Sequence, residues 1–178
     1  AAARRLAVDR SVGLEVRFEG GRAALMRDAF GSEFDYRPQG EGDLGARMER
    51  CVREGIESGA ECVVIVGSDI PGVDIAALEQ AFHALREHDL VVGPARDGGY
   101  YLIGLRREAP RLFRGLPWGT RHVLERTLEL AETEGLSVKQ LKPLSDVDRP
   151  RDLPLLEGLW GKCRIDEVLG KLSVIVPT

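Results

Sequence analysis

Hydrophobic and polar positions repeat with two different periods along this chain, and the switches between them mark its elements. Leu14 to Phe18 alternates residue by residue, as a half-buried strand does. Phe34 to Arg37 reads as a short second strand. Asp43 then opens a helix in which Leu44, Met48, Val52 and Ile56 form one apolar stripe, and Gly59 stops it. Cys62 to Val66 is an unbroken apolar run, the pattern of a strand covered on both faces. Asp74 caps a helix with Ile75, Leu78, Phe82 and Leu85 along one stripe. Leu90 to Val92 and Tyr100 to Leu105 are strands on either side of the turn-prone Asp97-Gly98-Gly99. Thr120 begins a helix that carries Val123, Leu124, Thr127, Leu128 and Ala131 inward. Leu136 to Leu141 is a further strand, and Pro150 suits the first turn of a last helix.

Strands separated by helices imply an α/β domain with a mostly parallel sheet covered on both sides. In such sheets ligands bind outside the carboxyl ends of the strands, so the residues that follow each strand are the ones to inspect. The length of 178 residues suits one domain with a sizeable core. A net charge of -4, with acids and bases interspersed, argues against a nucleic-acid backbone as partner, because that needs clustered Lys and Arg. No apolar stretch approaches the ~20 residues of a membrane span, and the opening Ala1 to Arg5 lacks the apolar core of an export signal. Cys51, Cys62 and Cys163 are odd in number and far apart. They form neither a metal-spaced pair nor a disulfide framework, which points to a reducing cytoplasm. The absent initiator Met and the strand-like ending Leu172 to Thr178 suggest a piece of a longer protein.

Several segments after the strands carry residues suited to chemistry. Gly67-Ser68-Asp69-Ile70-Pro71-Gly72 follows the most apolar strand. Its carboxylate suits a hard cation such as Mg2+ or Mn2+, and equally suits a turn cap before Pro71. Asp97-Gly98-Gly99-Tyr100 lets a ligand lie against bare backbone with Tyr100 or Tyr101 beside it; the same residues also spell a plain hairpin. Asp146 and Asp148 alternate onto one side of an extended segment, where either could complete a cation site or cap the helix begun by Pro150. Gly40, Gly42 and Asp43 form a glycine-rich entry to a helix whose amides can meet polar or anionic groups. Trp118, in Leu116 to Thr120, reads as a core or lid residue and alternatively as a substrate platform. His83, His88 and His122 show no ligand spacing.

Taken in order, residues 37–48 (RPQGEGDLGARM), 67–72 (GSDIPG), 93–104 (GPARDGGYYLIG), 116–120 (LPWGT) and 146–153 (DVDRPRDL) resemble a bacterial family formerly catalogued as a domain of unknown function. That family is described as glycosyltransferase-A-type, with members placed in arsenosugar biosynthesis, and is similar to cofactor guanylyltransferases. The matches span roughly four fifths of the chain. The resemblance implies a three-layer αβα, Rossmann-like nucleotide-diphospho-sugar transferase fold. It makes Asp69 and Asp148 the metal aspartates, holding Mg2+ or Mn2+, and places Asp97 to Tyr100 on the acceptor or sugar side. Asp97 is the candidate catalytic residue. Gly40, Gly42, Asp43, Ser68, Gly98, Gly99, Tyr100, Trp118 and Thr120 are the candidate nucleotide or substrate contacts. Arg149 stands where relatives often carry Thr.

Relatives begin with a strand and a basic phosphate loop, and nothing here corresponds to them. Residues 1–160 are then a glycosyltransferase-A-type domain lacking its first strand. Residues 161–178 are a linker and a segment, Leu172 to Thr178, that resembles the first strand of a second, fused glycosyltransferase domain. A gap in a sheet leaves backbone groups unpaired, so Ser173 to Val176 is expected to fill that slot. The function expected is a metal-dependent, cytoplasmic glycosyltransferase with a nucleotide-sugar donor and a small-molecule acceptor. The alternatives are a nucleotidyltransferase that releases pyrophosphate and a non-catalytic domain supporting a fused transferase.

Overall fold

The computed structural model describes residues 12–32, 34–67 and 73–144, together with the backbone of 173–177. Asp69, Ser68, Asp146, Asp148, Cys163 and the helix expected at Pro150 lie outside the described residues. In chain order the elements are β1 (Val12–Phe18), α1 (Ala23–Phe30), β2 (Asp35–Pro38), α2 (Leu44–Glu57), β3 (Val63–Val66), α3 (Ile75–Ala84), β4 (Leu90–Pro94) and β5 (Tyr100–Leu105). A 3-10 turn (Pro110–Phe113), α4 (Val123–Thr133), β6 (Val138–Gln140) and β7 (Ser173–Pro177) follow. Asp43 and Asp74 cap α2 and α3 as expected, accepting from Ala46 N–H at 2.8 Å and Ala77 N–H at 2.9 Å.

The strands form one seven-stranded sheet in the order β2-β1-β7-β3-β5-β4-β6. Five of them run the same way, while β5 and β7 run against their neighbours. The reversed β5 arises from the Asp97-Gly98-Gly99 hairpin, which returns the chain directly beside β4. The reversed β7 occupies the slot between β1 and β3.

Each face of the sheet carries its own core. Val63 and Ile65 point to one side with α2, the 3-10 turn and α4, among Met48, Val52, Phe113 and Ala131. Val64 and Val66 point to the other, against Leu78, Ala81 and Leu85 of α3 and the following turn. Four consecutive buried residues in β3 are therefore what a strand covered on both faces requires.

Three local features differ from the sequence pattern. Helix α1 was not expected; it is only eight residues long, Arg22 supplies no capping side chain, none of its residues is buried, and Leu25 is 60% exposed. Helix α4 begins at Val123 rather than Thr120, because the Thr120 hydroxyl donates to Pro117 O at 2.8 Å and holds a turn. Strand β6 covers only Val138–Gln140 of the strand expected from Leu136 to Leu141.

Candidate functional site

The carboxyl ends of β1, β2, β3 and β4 open on one sheet edge, and the glycine-rich segments meet there. At β1 and β2, Gln39 N–H donates to Phe18 O at 2.8 Å, which brings the two strand ends together. The loop that follows is clamped by two arginines of α2. Arg50 donates to Gln39 O at 2.6 Å and Glu41 O at 2.8 Å; Arg47 donates to Gly42 O at 2.9 Å and the Gln39 side chain at 3.2 Å. Gly40 has φ +80, and a Cβ there would lie 2.6 Å from the Arg50 guanidinium. The glycine is thus needed for the clamp, and its carbonyl neighbours are already engaged. Sequence pattern alone missed this clamp. Its signal was two arginines three residues apart on one helix face.

The hairpin after β4 packs on the start of α4. Asp97 is exposed and its carboxylate accepts from Gly99 N–H at 2.9 Å, a local turn contact. Gly98 has φ +94, and a Cβ there would sit 2.1 Å from Arg121 O. Gly98 O also accepts from Leu124 N–H at 2.9 Å, closing one of the open amides of the helix start. The neighbouring edge of β4 pairs with the chain leaving β6: Arg96 N–H donates to Leu144 O, and Leu144 N–H to Pro94 O, both at 3.0 Å. On the other side, Gly67 N–H donates to Tyr101 O at 2.9 Å. The chain therefore enters residues 68–72 and 145–150 from the same sheet edge.

Trp118 joins these pieces. Its indole lies against Gly45 in the first turn of α2, where a Cβ would come within 2.8 Å of Nε1 and 2.1 Å of Phe113 O. Its ring stands edge-on to Tyr100, with centroids 6.4 Å apart. Both rings pack against the core on the α2 side of the sheet. The Tyr100 hydroxyl and Trp118 Nε1 are buried and find no hydrogen-bond partner among the described residues. Burial pushes the Tyr100 phenol upward. Both rings are half-buried and turn toward this core, so they lie behind the loops they adjoin. Thr120, exposed beside them, has its hydroxyl in the turn that precedes α4.

Elsewhere, β1 carries a buried ionic network. Arg17, 4% exposed, pairs with Glu15 and with Glu54 of α2 at 2.6 Å, while Arg37 meets Glu15 at 2.7 Å. These residues line a cavity of about 340 Å³ with Cys51 and Asp35, toward the opposite sheet edge. Burial pushes the Cys51 thiol up to about 12 and the Cys62 thiol up to about 11, so both are protonated core groups rather than nucleophiles. Among the described residues, no three His, Cys, Asp or Glu side chains gather into a metal-sized cluster. No helix among them is long and apolar enough to cross a membrane.

Comparison with known proteins gives a consistent outcome. Residues 2–120 match the model of a family described as "Uncharacterized protein conserved in bacteria (DUF2064)". A crystal structure from Desulfovibrio desulfuricans G20, provisionally named a nucleotide-diphospho-sugar transferase, is similar with a TM-score of 0.77 and 31% sequence identity. The similarity covers 87% of this chain and 69% of that one, and it identifies the three-layer arrangement as the nucleotide-diphospho-sugar transferase fold. No curated protein matches the chain.

Proposed function

The chain belongs to the bacterial family DUF2064, and from that premise we propose that it is a metal-dependent glycosyltransferase using a nucleotide-diphosphate sugar as donor. The observation that carries this reading is the meeting of the Gly40–Asp43 loop, the Asp97–Tyr100 turn and the chain exits at Gly67 and Leu144 on one sheet edge. The likeness to a protein provisionally named for this chemistry supports it.

In this reading Asp69 and Asp148 would hold Mg2+ or Mn2+. Their carboxylate oxygens suit such hard cations, and Gly67 and Leu144, the described residues nearest to them, lie at the same sheet edge. The cation would supply positive charge against the diphosphate leaving group in an acidic protein of net charge -4. Gly40, Gly42, Asp43 and Ser68 are the residues this reading assigns to the nucleotide. Gly99 is the glycine assigned to the sugar side, with Thr120 at the rim, while Gly98 holds the turn against the start of α4. Asp97, exposed at the turn, is the residue assigned to the acceptor hydroxyl, as an orienter or base. Tyr100 and Trp118 fix the loops behind them.

Titration calorimetry of the full chain with Mn2+ and a panel of nucleotide sugars tests the reading. Asp69→Ala is expected to weaken metal-dependent binding at least ~10-fold, since it removes one of two charged ligands. Equal binding by the variant discards the metal role. Release of a nucleoside diphosphate identifies glycosyl transfer, and release of pyrophosphate identifies nucleotidyl transfer instead. Absence of metal-dependent nucleotide binding even in the full-length protein favours the reading of a domain that supports a fused transferase.

A further inference from the structure

His122 stands beside the loops of the proposed site, whereas His83 closes α3 and His88 precedes β4. The approach to α4 is packed directly on the Asp97–Gly99 turn. A Cβ at Gly98 would lie 2.1 Å from Arg121 O, and Leu124 N–H donates to Gly98 O at 2.9 Å. The backbone N–H of His122 donates to the Thr120 hydroxyl at 3.3 Å, which ties it to the rim of the site. His122 is the N-cap residue of α4, yet its side chain is 56% exposed and makes no capping hydrogen bond, so the helix does not depend on the ring.

Two charged neighbours hold the ring instead. Arg121 Nε–H donates to Nε2 at 3.3 Å, which leaves the ring proton on Nδ1, 3.2 Å from the Glu125 carboxylate. A carboxylate on one imidazole nitrogen and a bare lone pair on the other make an oriented general base. The Arg121 donor marks the place that an acceptor hydroxyl would take. Arg121 is exposed, so a hydroxyl can displace it at little cost. The hairpin packed against this turn adds two more charged residues, Arg96 and Asp97. Asp97 is bound to its own turn, with Oδ1 accepting from Gly99 N–H at 2.9 Å.

We propose that His122 is the general base that takes the proton of the acceptor hydroxyl, with Glu125 as its positioning residue and Asp97 left to orient the acceptor. This assignment rests on the transferase reading of the same sheet edge. The hydroxyl proton passes to Nε2 while the oxygen's electron pair forms the bond to the anomeric carbon. The bond from that carbon to the diphosphate oxygen breaks, and its electron pair leaves with the nucleoside diphosphate.

Two measurements on the full chain test it. Nitrogen NMR of the His122 ring in mildly alkaline solution, where histidine is neutral, needs no ligand. The Nδ1–H tautomer is expected in the wild type and a mixture of tautomers in Glu125→Ala; a wild-type ring protonated on Nε2 overturns the proposal. The second measurement is release of nucleoside diphosphate from a panel of UDP- and GDP-sugars with Mn2+, water or glycerol serving as acceptor. His122→Ala should lower kcat at least ~100-fold while calorimetry shows unchanged nucleotide affinity, and added imidazole should restore part of the loss. Glu125→Ala should lower kcat less and shift the acid limb of the pH–rate profile. Turnover by His122→Ala equal to the wild type overturns the base alone. A wild-type chain that releases no nucleoside diphosphate removes the transferase reading, and the base with it.

Discussion

Trp118 shows how a single residue can be conspicuous in sequence and inward-facing in the fold. Its indole fills the space that Gly45 leaves at the start of α2 and stands edge-on to Tyr100. Because Nε1 is buried and finds no partner among the described residues, the indole contributes through contact area and not through its N–H. Trp118→Phe is therefore expected to change unfolding free energy by less than about 1 kcal/mol, since it deletes an unpaired donor and keeps a ring. Trp118→Ala should cost about 3 kcal/mol by opening a cavity. Urea denaturation of both variants measures this, and equal losses would mean that the N–H has a partner after all. The pattern Pro117-Trp118-Gly119 and the doublet Gly98-Gly99 before Tyr100 were readable as loop residues. The direction of the two rings was not, because it depends on Gly45, more than fifty positions earlier in the chain.

Among the elements, β4 and β6 are tied at their starts by one carboxylate. Asp89 Oδ2 accepts from the Ser137 N–H at 3.0 Å and the Ser137 hydroxyl at 2.9 Å, and Oδ1 meets Arg107 at 3.3 Å. The Ser137 N–H foremost, then its hydroxyl, then Arg107, hold the Asp89 carboxyl below its usual range. A folded value below the unfolded one means that this contribution is complete above the unfolded value, about 3.9, and disappears as pH falls through the depressed one. Asp89→Asn should thus cost about 1 kcal/mol at neutral pH, a figure kept small by solvent screening, and much less near pH 2. Urea midpoints at both pH values check it; the same gap at each would remove the ionic explanation. The tie was invisible in sequence, since its two ends are far apart and each is an ordinary polar residue in a loop. The strands themselves were legible. Helix α1 was not, because an eight-residue helix with no capping side chain at Arg22 gives no start signal, although Met26, Ala29 and Phe30 recur at helical spacing.

At the scale of the whole molecule, ligand and fold are thermodynamically linked. If the shared sheet edge binds Mn2+ with a nucleotide sugar, ligand present at a hundred times Kd should stabilise the native state by about 2.7 kcal/mol. Differential scanning fluorimetry of the full chain should show a rise in Tm that EDTA cancels and that Asp148→Asn lacks. A rise that survives EDTA would contradict the cation's part in it.

Patterning determined the alternation of strands and helices, the doubly covered β3, the caps at Asp43 and Asp74, and the set of loops worth inspecting. Each of these is written in neighbouring residues, through a period of two or of nearly four and through short-range hydrogen bonds. Tertiary structure alone decided that β7 runs against its neighbours, that Arg47 and Arg50 grip the glycine-rich loop, and that Tyr100 and Trp118 turn toward the core. Those outcomes depend on which distant backbone groups find one another once the chain is compact, and local periodicity contains no term for that choice.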